Sequence, residues 1–191
     1  MAENWILYTD GACQPNPGTG AWSYILFDEH SDKKFLNRGF CLNSEAEDVT
    51  NNKMEIKAVI EGLRYFIFEM NKLGENITVV SDSSYVIKAI DKWIDTWEKN
   101  NWITYENKQV KNQELWKEIS KIKKLIKIEC VHIKGHGDNE INNCTDRMAF
   151  ELAQSVNKIY EIDKSKSYKT KNINNSDIIK FINKTEEGTL E

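Results

Sequence analysis

Four carboxylates recur in this chain in settings that could let them meet. They are Asp10 in Ile6-Leu7-Tyr8-Thr9-Asp10-Gly11-Ala12-Cys13, Glu55 in Thr50-Asn51-Asn52-Lys53-Met54-Glu55, Asp82 in Val79-Val80-Ser81-Asp82-Ser83-Ser84, and Asp146 in Asn143-Cys144-Thr145-Asp146-Arg147. The first is delivered by a run of β-formers that breaks on Gln14-Pro15-Asn16-Pro17-Gly18, the pattern of a strand presenting an acid near its end. Singly, an Asp beside a turn is more often a local hydrogen-bonding group, and each of the other acids reads equally well as a cap or a solvated side chain. Gathered at one spot they repel, because each charge opposes ionisation of the next. A hard divalent cation removes that objection, since Mg²⁺ takes carboxylate oxygens and keeps positions open for water and phosphate. Two such ions about 3.5–4 Å apart can activate a water and stabilise a leaving oxygen at phosphorus.

The elements that must position these acids are legible as periodicity. Residues 4–13, 20–28 and 33–42 read as three strands, and the short polar link Glu29-His30-Ser31-Asp32 suits a hairpin, so they predict an antiparallel meander. Thr50 or Asn51 can cap a helix carrying Met54, Ala58, Val59, Leu63, Phe66, Ile67 and Met70 on one stripe, closed at Gly74. Ile77–Val80 suits a strand covered on both faces, and a strand-helix-strand passage favours parallel pairing with the first strand through a right-handed crossover. Asp82 then falls beyond that strand's carboxyl end, at the start of a helix with Tyr85, Val86, Ile87 and Ile90. Trp93, Trp97 and Trp102 lie close together within residues 91–111, where core packing is the commoner reading and a stacking surface the rarer. A helix through Leu115–Ile122, a strand at 126–133, a Gly-flanked loop at 134–138 and a helix at 142–160 complete the domain. This order predicts an α/β fold with acids on strand 1, the first helix, the end of strand 4 and the last helix.

At 191 residues, 40% hydrophobic and 29% charged, the chain supports one domain, taken as residues 1–160, followed by a polar Lys/Asn/Ser-rich tail at 161–191. Ile178-Ile179-Phe181-Ile182 could form a short helix within that tail. No apolar run approaches the ~20 residues of a membrane span, and Met-Ala-Glu-Asn runs straight into a strand. The expectation is a cytoplasmic monomer without membrane contact. Cys13, Cys41, Cys130 and Cys144 show no zinc spacing and read as free thiols. Net charge is −4, which argues mildly against a nucleic-acid partner. The distribution softens this: residues 1–91 carry 8 basic and 14 acidic groups, whereas 92–127 carry 9 basic and 5 acidic. A lysine-rich stretch is also the ordinary composition of a solvated face.

Tyr-Thr-Asp-Gly-Ala-Cys (8–13), Thr-Asn-Asn-Lys-Met-Glu (50–55), Ser-Asp-Ser-Ser-Tyr-Val (81–86), Lys-Gly-His (134–136) and Asn-Cys-Thr-Asp-Arg-Met-Ala (143–149) together resemble the motifs of type 1 ribonucleases H, in order, across residues 4–158. The resemblance implies the ribonuclease H-like fold, a five-stranded mixed sheet with its first three strands antiparallel, flanked by helices. It implies endonucleolytic cleavage of the RNA strand of RNA·DNA hybrids, leaving 3′-hydroxyl and 5′-phosphate ends, with two Mg²⁺ ions or Mn²⁺ as a substitute. By the same resemblance Asp10, Glu55, Asp82 and Asp146 are the metal ligands, with Asp10 bridging both ions. His136 is then the mobile proton carrier that helps product leave, a task that suits a side chain with a pKa near 6.5; taken alone it reads as an ordinary loop histidine. Cys13, Asn16, Asn51, Asn52 and Ser84 become substrate contacts, able to read minor-groove edges and 2′-hydroxyls. Thr50 and Asn112 become the pocket for a DNA-strand phosphate, and Trp93, Trp97, Trp102 and Trp116 belong to the substrate-handling protrusion and its base.

The chain departs from the family pattern at that protrusion. The segment is commonly basic, yet it reads Trp97-Glu98-Lys99-Asn100-Asn101-Trp102-Ile103-Thr104 here, so grip is expected to be weaker or to pass to Lys108, Lys111, Lys117, Lys121, Lys123 and Lys124. Ser84 and Asp48 also stand where longer or basic side chains are frequent. A non-catalytic hybrid- or duplex-binding module on the same fold is the alternative reading, and a DNA-directed integrase-type nuclease is another. A pure binder has no need of clustered, mutually repelling carboxylates.

Overall fold

β1 (Trp5–Gln14), β2 (Thr19–Asp28) and β3 (Lys34–Cys41) form the expected meander in a computed structural model that describes residues 3–42 and 48–166. β4 (Asn76–Ser81) runs parallel to β1, with Leu7 beside Val79, and β5 (Lys127–His132) runs parallel to β4. The sheet order is β3-β2-β1-β4-β5, so β1 is central and is covered on both faces. Its Thr9 and Asp10 are consequently buried polar groups in a largely apolar strand.

α1 (Asn51–Arg64) starts where the sequence places it. Thr50 is extended, and its hydroxyl accepts the Lys53 N–H at 3.3 Å, satisfying one of the first-turn donors. Met54, Ile56, Val59, Ile60 and Leu63 bury the inner face against β1 and β2. The helix does not run regularly to Gly74. It passes into a π-helical turn, Tyr65–Glu69, and Gly74 lies in the loop before β4 at φ +82°, its N–H bonded to Leu125 O at 3.0 Å. A second π-helical turn, Ala89–Trp93, joins α2 (Ser84–Lys88) to α3 (Ile94–Lys99). Neither turn is marked by Gly or Pro, so the periodicity could not announce it.

The tryptophans are mostly packing groups. Trp116 on α4 (Gln113–Lys123) is fully buried and donates from Nε1 to Tyr85 OH at 3.3 Å, while Trp102 is 8% exposed. Trp93 and Trp97 are half-buried and link Tyr85 to Trp116 through ring contacts of 5.7–6.1 Å.

α5 (Glu140–Lys166) covers the other face of the sheet, with Ala149, Leu152, Ala153 and Val156 on Ala12 and Ala21. It continues past the expected end at residue 160. The chain from 167 onward, including Ile178–Ile182, lies outside the described residues. Among those described, no helix is long and apolar enough to cross a membrane.

Candidate active site

Alternation along β1 sets which acid faces which helix. Leu7 and Gly11 point toward α1, and Asp10 lies on the opposite face with Ala12, toward α5. Asp10 is 7% exposed, and its Oδ1 accepts the Gly11 N–H at 2.7 Å. Its cross-strand neighbour Ser23 donates from Oγ to Thr145 O at 2.6 Å, which fixes α5 one residue before Asp146. On the α1 side the approach is closer. A Cβ at Gly11 would stand 2.2 Å from Glu55 N and 2.3 Å from Met54 C, so only glycine lets the first turn of α1 rest on β1 and bring Glu55 to the edge of the sheet.

Asp82 follows β4, next to β1. Its Oδ2 accepts from Asn142 Nδ2 at 3.4 Å, and its carbonyl accepts from His132 Nε2 at 3.1 Å. The loop at 134–138 lies directly against it: a Cβ at Gly135 would come within 2.6 Å of Asp82 Oδ2. That loop holds His136 at φ +50°, with Nδ1 3.7 Å from Asp146 Oδ2 and the ring 85% exposed. Glu55 is fixed by Ser83 Oγ, which donates to Oε2 at 2.6 Å, and by Asn51 Nδ2, which donates to Oε1 at 3.2 Å.

The four acids share one electrostatic neighbourhood. Burial pushes Asp10 up to about 8, with the charges of Asp82, Asp146 and Glu55 adding to it against the single Gly11 N–H bond. Burial also raises Glu55, against its bond from Ser83, with the Asp82 charge adding to the rise. No lysine or arginine stands among the groups that shift either acid. Among the described residues no three His, Cys, Asp or Glu side chains stand as a closed ligand array. The fit to a cation therefore rests on donor chemistry: hard carboxylate oxygens, a surplus of negative charge, and a half-exposed Asp146 beside them. Asp10, Glu55, Asp82 and Asp146 are the residues that could hold divalent ions.

The expected substrate contacts divide by location. Asn16 Oδ1 accepts the Asn51 N–H at 3.3 Å, so the loop after β1 is tied to the start of α1, where Asn52 is exposed. Ser84 is exposed at the start of α2, next to the Ser83–Glu55 bond. Cys13 differs. It is 5% exposed, and its thiol turns inward to Val49 O and Pro15 O, each at 3.2 Å. Thr50 and Asn112 cap α1 and α4, two helices that pack on each other; the Thr50 hydroxyl is already engaged by Lys53 N, and Asn112 sits at φ +57° without a capping bond from its side chain. Trp93 remains half-buried beside Tyr85 and Trp97.

The sequence reading missed the groups that hold the acids in place. Ser83 lies inside the Ser-Asp-Ser-Ser motif, so its presence was visible, but its bond to Glu55 was not. Asn142, 1% exposed, reaches Asp82 from the first turn of α5 and carried no local signal.

A mixed sheet that brings acids from β1, α1, the end of β4 and α5 to one spot defines an α/β protein with a carboxylate centre suited to divalent cations. The family model described as RNase H matches residues 2–154. The ribonuclease H of Thermoanaerobacter sp. (strain X514) is 44% identical over 146 residues, covering 76% of this chain and 86% of that protein. That of Treponema denticola is 38% identical over 162 residues, covering 80% and 99%. Among solved structures, LC11-RNase H1 in complex with RNA/DNA hybrid superposes with a TM-score of 0.59 at 21% identity, covering 79% of this chain and 99% of that one. LC9-RNase H1, a type 1 RNase H with the type 2 active-site motif, gives 0.66 at 17% identity, covering 81% and 74%. The chain belongs to the ribonuclease H family.

Proposed function

We propose that this chain is a divalent-metal-dependent endoribonuclease that hydrolyses the RNA strand of RNA·DNA hybrids and leaves 3′-hydroxyl and 5′-phosphate ends. The observation that carries the reading is the convergence of Asp82, Asp146 and Glu55 on a buried Asp10 with no basic countercharge among the groups acting on it. Family membership and the hybrid bound to LC11-RNase H1 support the substrate class.

Asp10, Glu55, Asp82 and Asp146 would hold two Mg²⁺ ions, with Mn²⁺ as a substitute. When bound, these ions activate a water and stabilise the leaving oxygen. The protein's own contribution is placement. Ser83 and Asn51 keep Glu55 turned toward the sheet, and Asn142 and the Gly135 loop keep Asp82 from swinging away. His136, exposed beside Asp146, can carry a proton between the site and solvent. Asn16, Asn51, Asn52 and Ser84 present amide and hydroxyl groups around the same helix starts, chemistry that can distinguish a 2′-hydroxyl from hydrogen.

The test is cleavage of end-labelled RNA·DNA hybrid, double-stranded RNA and double-stranded DNA, with and without Mg²⁺. The reading requires Mg²⁺-dependent cutting confined to the RNA of the hybrid. Binding of hybrid without cutting would instead favour a non-catalytic duplex-binding module.

A further inference from the structure

On the α1 face of the sheet, Trp22 and Tyr24 of β2, Asn37 of β3 and side chains from residues 61–69 line an open pocket of about 310 Å³. That is the lower end of the range for small-molecule sites. It lies along the second half of α1 and the π-helical turn, with Phe68 about 20 Å along the helix from Glu55 and Trp22 at its near end, opposite Gly11 of β1. Its lining includes none of the four acids and none of the side chains that hold them.

Its walls are aromatic. Trp22 and Tyr24 lie parallel within 5°, with ring centroids 6.2 Å apart, and Tyr65 stands 6.1 Å from Tyr24. Gly39 makes room for the indole, since a Cβ there would meet the Trp22 ring at 2.4 Å. Phe68 borders the pocket and is 66% exposed. Tyr65, Phe68 and Glu69 all belong to the π-helical turn, an irregularity found often at functional sites.

Two carboxylates border the same space, Glu61 and Glu69. Both bear on the Tyr24 hydroxyl, which burial chiefly pushes up to about 12. The basic group on the lining, Arg64, is drawn to Glu61 at 3.4 Å and to Glu118 at 2.7 Å. Partly exposed aromatic side chains, Trp22, Tyr65 and Phe68, beside the Glu69 carboxylate are complementary to a positive charge that needs few hydrogen bonds.

We propose that this pocket binds a small alkylammonium cation, best a trimethylammonium group, seated among Trp22, Tyr65 and Phe68 with Glu69 as counter-charge. A neutral molecule of the same shape forgoes both the ring attraction and the carboxylate.

The probe is choline, titrated into the ¹⁵N-labelled full chain while the Trp22 indole N–H is followed by NMR. The control is 3,3-dimethylbutan-1-ol, in which carbon replaces the charged nitrogen. Choline should shift Trp22 saturably with a dissociation constant on the order of a few millimolar, and the alcohol should bind at least about fivefold more weakly. Phe68→Ala and Glu69→Gln, both at exposed positions, should each weaken choline by about threefold or more while the rest of the spectrum stays native. Equal binding of choline and the alcohol would reduce the site to a plain apolar pocket and overturn the proposal. So would the absence of a saturable Trp22 shift, or choline binding untouched by both substitutions.

Discussion

Ser83 holds Glu55 and caps a helix with the same oxygen: its Oγ donates to Glu55 Oε2 at 2.6 Å and accepts the Val86 N–H at 3.3 Å. The start of α2 and the acid of α1 are thereby fixed to each other across the β1–β4 junction. Ser83→Ala should cost about 1 kcal/mol through the lost cap. It also removes a bond that lowers the Glu55 pKa, so Glu55 should titrate higher still. Hybrid cleavage is expected to fall about tenfold, the size of effect typical for groups that orient metal ligands. Chemical denaturation and the pH profile of cleavage measure the two parts separately. A stability loss with unchanged cleavage would reduce Ser83 to a cap.

The raised pKa of Asp10 makes the metal-free protein sensitive to alkali. In the unfolded chain this carboxyl ionises near 3.8, whereas in the folded chain it resists ionisation until about 8. Between those values the folded state binds the extra proton, so its contribution to stability falls as pH rises from about 4 to 8 and levels off above. Glu55 is shifted in the same direction. Cations that neutralise the site should restore this loss. The increase in Tm on adding Mg²⁺ is therefore expected to be larger at pH 8 than at pH 5, and Asp10→Asn should flatten the metal-free pH dependence. Thermal melts at both pH values, with EDTA or Mg²⁺, check this.

His136 stands beside Asp146 on an exposed loop rather than inside the carboxylate cluster. His136→Ala should slow turnover on the order of 10²-fold while leaving metal affinity nearly unchanged. Calorimetric titration of metal into the variant, set beside its turnover, separates these outcomes. A large loss of metal affinity would make His136 a ligand.

The lysines near the protrusion are unequal. Lys108, Lys117, Lys123 and Lys124 pair with Glu106, Glu114, Asp95 and Glu98, whereas Lys111 and Lys121 enter no ion pair among the described residues. Glu98 is itself held by Lys124 and by Ser120 Oγ, so the acid of this segment also engages one of the nearby lysines. Neutralising Lys108 and Lys111 together should weaken hybrid binding in Ca²⁺ and flatten its salt slope by roughly one unit per lost phosphate contact. Neutralising Lys99 should do less. A salt series of binding measurements on the three proteins distinguishes the two, and a larger loss at Lys99 would return the grip to the protrusion.

The sheet, the crossover and the positions of the four acids were legible because they depend on period and order. β1 and β4 had to be neighbours, and Asp10 and Asp82 came with them. The Thr50 cap was readable for the same reason, since it is local chemistry. What sequence could not supply was whatever depends on packing at a distance. The π-helical turns at 65–69 and 89–93 contain only ordinary helix and core residues, so a regular helix to Gly74 was the natural expectation. Cys13 sits in a motif that suggests substrate contact, yet the strand's alternation turns its thiol toward Val49. Ser83 and Asn142 acquire their roles only once α1, α2 and α5 are folded onto β1 and β4.

Under the proposed function, clustered carboxylates rather than the fold alone would make this chain a nuclease. The direct measurement is Asp10→Asn followed in parallel for hybrid cleavage in Mg²⁺ and hybrid binding in Ca²⁺. The substitution keeps the size of the side chain and removes the one carboxyl on which the charges of the other three acids bear, leaving an amide that cannot ionise onto a cation. No detectable cleavage with hybrid binding preserved is the expected result. Near-normal turnover by Asp10→Asn would contradict the assignment of this site as a metal-dependent catalytic centre.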